Sequence, residues 1–152
     1  MPQIERVSES EEATIALGAA LGRQLVAGDV VALHGELGTG KTRFVRGLAL
    51  GLGINPNAVS SPTFVLVNIY ESTSGIRLAH VDGYRLQDED SLDLLGWDRI
   101  DDGSAVIAVE WAERLPASFG RRRVDVWLAH TQDDPNRRTI LVEWQEQWKL
   151  QF

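Results

Sequence analysis

Hydrophobic and polar positions divide the chain into segments of distinct period. Gln3–Val7 has strand composition. Ser8 then stands three residues ahead of Glu11, the spacing of a capping box, and Ile15, Ala19, Leu21, Leu25 and Val26 recur at helical intervals, which predicts a helix ending near Gly28. Val30–Leu33 is a short continuous apolar run bounded by Gly28-Asp29 and Gly35, the pattern of a strand buried on both faces. From Lys41 to about Gly51 the positions of Phe44, Val45, Leu48 and Leu52 follow helical spacing again, with Gly51 and Gly53 as stop signals. Thr63–Tyr70 and Ile76–Val81 are β-rich and separated by turn composition at 71–75, so they predict an antiparallel hairpin. The acidic stretch Asp88–Asp102, with Leu92, Leu94 and Leu95, predicts one or two short surface helices, and Ala105–Val109 is a second continuous apolar run. Val124–Ala129 and Thr139–Trp144 alternate around Asp133-Asp134-Pro135-Asn136, a second hairpin. Together these predict an α/β fold, three-layered, with a central mixed β-sheet and helices against it. No repeat or linker interrupts the pattern, so residues 1–152 read as a single domain.

Composition narrows the class. At 152 residues and 43% hydrophobic, the chain can close a core without disulfides or metal staples. Its formal charge of −7 argues against broad neutralisation of phosphates by its own surface, so any nucleic acid it serves is expected to be held by a partner. The absence of cysteine removes disulfides, thiol nucleophiles and cysteine zinc sites, and suits a reducing cytosol. Met1–Glu12 carries four acids and one arginine with no apolar signal core. No run reaches the ~18 apolar residues of a membrane helix, so a cytoplasmic location without a membrane partner is expected.

The chemistry concentrates in Gly35-Glu36-Leu37-Gly38-Thr39-Gly40-Lys41-Thr42, a full match to G-x-x-x-x-G-K-[ST] between a predicted buried strand and a predicted helix. Glycines allow successive backbone N–H groups to face one concavity, and the helix that follows adds the positive end of its dipole; both attract a triphosphate. In such a loop Lys41 reaches the terminal phosphates and the Thr42 hydroxyl ligates Mg²⁺. The site also needs an acid at the end of a neighbouring strand. Glu110 follows the continuous run Ala105–Val109 and is the expected metal-side carboxylate. Asp82 follows Leu78-Ala-His-Val81 and is the second acid: a base or orienter for attacking water, a more distant magnesium contact, or simply a turn aspartate before Gly83.

This motif set resembles the TsaE (YjeE) family. Besides the Gly35–Thr42 loop, the resemblance rests on Ser61-Pro-Thr-Phe64 with Leu66-Val67 and Tyr70, His80-Val-Asp82 with Tyr84-Arg85-Leu86, and Val109-Glu-Trp111, and it extends from about Ser8 to Glu113 and more weakly to the last hairpin. It implies a P-loop NTPase-type domain that hydrolyses ATP slowly with Mg²⁺. It also implies support of a TsaB–TsaD complex that transfers threonylcarbamoyl to adenosine in tRNA, with TsaC in the same pathway and the RNA held mainly by the complex. By resemblance, Lys41, Asp82 and Thr63 are catalytic, Thr63 as a switch-like threonine near the γ phosphate. Gly38, Thr39, Gly40, Lys41, Thr42, Arg43, Trp111, Arg137 and Glu12 contact the nucleotide, and Thr42 and Glu110 hold magnesium. Asn136 stands where relatives carry glycine before the arginine, and Gly83 where they carry a bulkier residue.

Other features have plainer readings. Thr63 after Pro62 is a natural strand start, Trp111 alone would be packing, and His80 has no partner at metal-ligand spacing and reads as a strand residue. Arg121-Arg122-Arg123 is a basic cluster at a strand end, with contact to tRNA or an acidic partner as the sharper alternative. Two other functions fit a P-loop: a small-metabolite kinase, and a nucleotide-gated adaptor. The short chain shows no arginine-bearing lid for the first.

Overall fold

The computed structural model describes residues 1–36, 38–60, 67–82, 102–110 and 122–152. The expected first part of the hairpin at 63–66, the acidic helices over 88–101 and the segment 111–121 lie outside them. Both continuous apolar runs are buried strands: β2 spans Asp29–His34 and β5 spans Ala105–Glu110, every residue of β5 being buried. The remaining strands are β1 (Gln3–Ser8), β3 (Val67–Glu71), β4 (Arg77–Asp82), β6 (Arg122–His130) and β7 (Arg138–Glu143). They form one sheet in the order β1-β7-β6-β2-β5-β4-β3. β2 lies parallel between β5 and β6, and β4 runs parallel to β5. The two hairpin pairs, β3–β4 and β6–β7, and the β1–β7 pair are antiparallel, so the sheet is mixed and the fold α/β, as the pattern predicts.

Both helices contribute to a cluster with one sheet face, where α1 (Glu11–Gly22) and α2 (Lys41–Gly51) bring Leu21, Phe44, Val45 and Leu48 to Val31, Leu33, Val106, Val124 and Val126. Val30, Ala32, Ala79, Val81, Ile107 and Val109 make a second buried cluster on the opposite face. Burial on both faces explains why β2 and β5 read as unbroken apolar runs. Each fully buried Val, Leu or Phe contributes about 1.5–3 kcal/mol.

Two details differ from the sequence pattern. The α1 cap is Ser10, whose Oγ accepts from Ala13 N at 3.1 Å, and not Ser8. Ser8 is still paired with Arg138 in the sheet, and its hydroxyl meets Thr14 Oγ1 at 2.7 Å. The chain therefore leaves β1 before it can turn into a helix. α1 also stops at Gly22. Leu25 keeps its buried position through a turn, with its N–H donating to Gly22 O at 3.2 Å, so the apolar spacing outlasts the helix.

The helices meet through glycine. Gly18 and Gly22 of α1 face Gly47 and Gly51 of α2 so closely that a Cβ on Gly47 would lie 2.2 Å from Ile15 O, and one on Gly18 2.4 Å from Phe44 O. This contact sets the position of α2, whose first residue is Lys41. Among the described residues no helix is long and apolar enough to cross a membrane.

Candidate functional site

β2 delivers the chain into the glycine loop. Gly35 follows at φ 147°, and a Cβ there would lie 2.5 Å from Leu128 O and 2.7 Å from Thr39 Oγ1, so only glycine fits between β6 and the loop. Gly40 adopts a left-handed conformation at φ 101° as the residue before α2. The loop closes on itself: Thr39 Oγ1 donates to Glu36 O at 2.8 Å and Lys41 Nζ donates to Gly35 O at 2.6 Å, with Lys41 only 4% exposed. The first turn-to-turn bond of α2 runs from Phe44 N to Gly40 O at 3.0 Å. The N–H groups of Thr42 and Arg43 precede it and point out of the helix end, which suits the start of α2 to an anion.

The strand before the loop is pinned on its other face. His34 stacks on Trp127 with ring centres 4.8 Å apart and planes at 14°, and its Nε2 is 2.9 Å from Asp125 Oδ1. Arg123 donates to the same oxygen at 2.9 Å. Burial pushes the Asp125 carboxyl up, but the hydrogen bonds from His34 and Arg123 outweigh it and hold the group below the ordinary carboxylate range.

Parallel pairing places the acids. Glu110 is in register with Leu33 of β2 on one side and with Asp82 of β4 on the other, so both carboxylates end strands at the edge from which the glycine loop emerges. Alternation puts Glu110 on the face of Val106 and Ala108, the face that carries α2. Glu110 is 6% exposed, and its Oε2 lies 2.5 Å from Nε2 of the fully buried His80. Among the described residues no group of three or more His, Asp or Glu gathers as a metal cage. A cation here would be held by few carboxylates and a hydroxyl, sharing oxygens with a bound phosphate, which is the habit of magnesium.

Glu12 and Arg43 lie with Glu9, Ser10, Gly40 and Arg138 around a cavity of about 410 Å³ beside the loop. Arg43 is ion-paired with Glu11. Arg137 sits at the rim, with Nη2 3.4 Å from Glu9 Oε1. Its neighbour Arg138 reaches the loop itself, donating from Nε to Thr39 O at 3.0 Å. Sequence reasoning missed Arg138, although Arg138, Ile140 and Val142 alternate on the helix-bearing face and that alternation was the available signal. It also passed over His80, whose contact with Glu110 depends on a register that sequence does not contain. The structure thus brings Gly38, Thr39, Gly40, Lys41, Thr42, Arg43 and Glu12 to one end of the sheet with Asp82 and Glu110. Thr63 and Trp111 lie outside the described residues.

Comparisons with known proteins agree on the family. The family model described as "Threonylcarbamoyl adenosine biosynthesis protein TsaE" matches residues 8–140. A protein of Aquifex aeolicus named tRNA threonylcarbamoyladenosine biosynthesis protein TsaE is 44% identical over 91% of this chain and 94% of its own. The protein of that name from Treponema pallidum is 37% identical over 88% and 97% respectively. The crystal structure of YdiB from Bacillus subtilis superposes with a TM-score of 0.69 at 31% identity, covering 93% of this chain and 84% of that one.

Proposed function

The chain belongs to the TsaE family, and from that premise we propose that it is a magnesium-dependent ATP hydrolase acting in tRNA threonylcarbamoyladenosine biosynthesis. It works in the cytoplasm with a TsaB–TsaD complex that holds most of the tRNA, and with TsaC in the same pathway. One observation carries the reading: a glycine loop joins a central parallel strand to a helix, and two carboxylates end the next two strands in register.

Lys41 and the N–H groups at the start of α2 bind the phosphates, and Thr42 and Glu110 hold Mg²⁺. The metal, when bound, neutralises charge that develops on the γ phosphate. Asp82 orients the attacking water, and the family resemblance adds Thr63 beside the γ phosphate and Trp111 beside the nucleotide. Glu12, Arg43 and Arg137 line the route by which the rest of the nucleotide extends from the loop. Positioning and electrostatics supply the rate enhancement, since phosphoryl transfer asks little covalent chemistry of the protein.

Equilibrium binding and turnover of ATP test this together. Lys41→Ala is expected to abolish binding, and hydrolysis at the parent rate in that variant would overturn the phosphate-loop reading. Asp82→Asn is expected to bind and not turn over; equal loss of binding would move Asp82 to a ligand role. In an assay reconstituted with TsaB, TsaC and TsaD, repeated tRNA modification should require this chain and hydrolysable ATP. Repeated turnover with a non-hydrolysable analogue would make it an adaptor, and phosphoryl transfer to a metabolite would make it a kinase.

A further inference from the structure

His80 is fully buried on β4, and its Nε2 lies 2.5 Å from Glu110 Oε2. His80 is in register with Asn68 of β3 on one side and with Ala108 of β5 on the other; Ala108 is two residues before Glu110 and carries only a methyl group, so the imidazole can lean along β5 to the carboxylate. A carboxylate only accepts, so Nε2–H donates. Nδ1 is buried and has no partner among the described residues. Among the described residues the imidazole therefore makes one hydrogen bond, to Glu110. Among the described residues Glu110 Oε1 takes none.

We propose that His80 is the positioning residue of the metal-side carboxylate: it fixes Oε2 of Glu110 and leaves Oε1 to face the magnesium–nucleotide. This rests on the reading of Glu110 as the magnesium carboxylate. β4 then serves the site twice, since His80 and Asp82, two residues apart, share a strand face. Partners that orient metal ligands by hydrogen bonding tune affinity by about 10–100-fold.

The test uses the full chain with His80→Leu, His80→Gln, His80→Asn and Glu110→Gln. Two quantities are read for each: the half-saturating Mg²⁺ for ATP hydrolysis, and Mn²⁺ binding in the presence of ATP by electron paramagnetic resonance. Metal-free ATP binding in chelator reports the loop alone. His80→Leu is expected to raise the metal requirement about 10–100-fold while leaving metal-free ATP binding at the parent value. The longer Gln amide can replace Nε2–H and should restore most of the affinity; the shorter Asn should not. If His80→Leu does not fold, the Gln and Asn variants carry the comparison. Parental metal dependence in both His80→Leu and His80→Asn overturns the proposal, as does equal loss in Gln and Asn. Parental metal dependence in Glu110→Gln as well overturns the magnesium reading beneath it.

Discussion

Gly47→Ala tests the helix contact on which the position of the phosphate loop depends. Two effects oppose each other. Alanine in a helix interior is favoured over glycine by about 1 kcal/mol. Against this, the added Cβ would sit 2.2 Å from Ile15 O, where real Cβ atoms essentially never approach within 3.0 Å, and 2.8 Å from Gly18 Cα. Both neighbours are backbone, so no side chain can swing aside, and α1 and α2 must separate by most of an ångström. Overpacking of this kind costs typically ~1–3 kcal/mol, and separating the helices also loosens Leu21 against Phe44 and Leu48. Because the obstruction is backbone, the upper part of that range applies. The net loss is then about 1–2 kcal/mol, or a fall in Tm of ~2–8 °C for a chain of this length. Ala16→Gly, at an exposed position of α1, calibrates the propensity term without the contact. Thermal unfolding followed by circular dichroism measures both. A Gly47→Ala variant at least as stable as the parent would refute the close approach of the helices.

Three further outcomes follow from single contacts. Ser10→Ala removes the hydroxyl that accepts from Ala13 N and should cost about 1 kcal/mol in urea unfolding; no loss would return the cap to Ser8. Arg138→Ala frees the Thr39 carbonyl and should weaken equilibrium ATP binding about tenfold, the effect of ~1.4 kcal/mol from one charge-assisted bond; unchanged affinity would mean that the loop holds its shape unaided. Asp125 has a folded-state pKa below its ordinary value, so its contribution to stability is present at neutral pH and is lost as pH falls through the folded value. The urea midpoints of the parent and Asp125→Asn should therefore differ at pH 7 and converge below about pH 4; a constant gap would refute the sign.

The features legible in the sequence are local ones. The Val30–Leu33 and Ala105–Val109 runs, the glycine loop between a strand and a helix, and both hairpins depend on residue period and turn chemistry within a dozen or so positions, and the structure reproduces them over its described residues. The loop's chemistry was legible for the same reason, since its glycines, Lys41 and Thr42 are contiguous. Tertiary structure decided what depends on residues far apart in the chain. The start of α1 and its cap follow from the pairing of Ser8 with β7. The meeting of Gly18 and Gly22 with Gly47 and Gly51 follows from how two helices cross. Whether Asp82 stands opposite Glu110, whether His80 can reach that carboxylate, and whether Arg138 grips the loop are matters of strand register and packing. A shift of one residue in β4 would leave the sequence pattern of that strand intact and turn His80 away from the site.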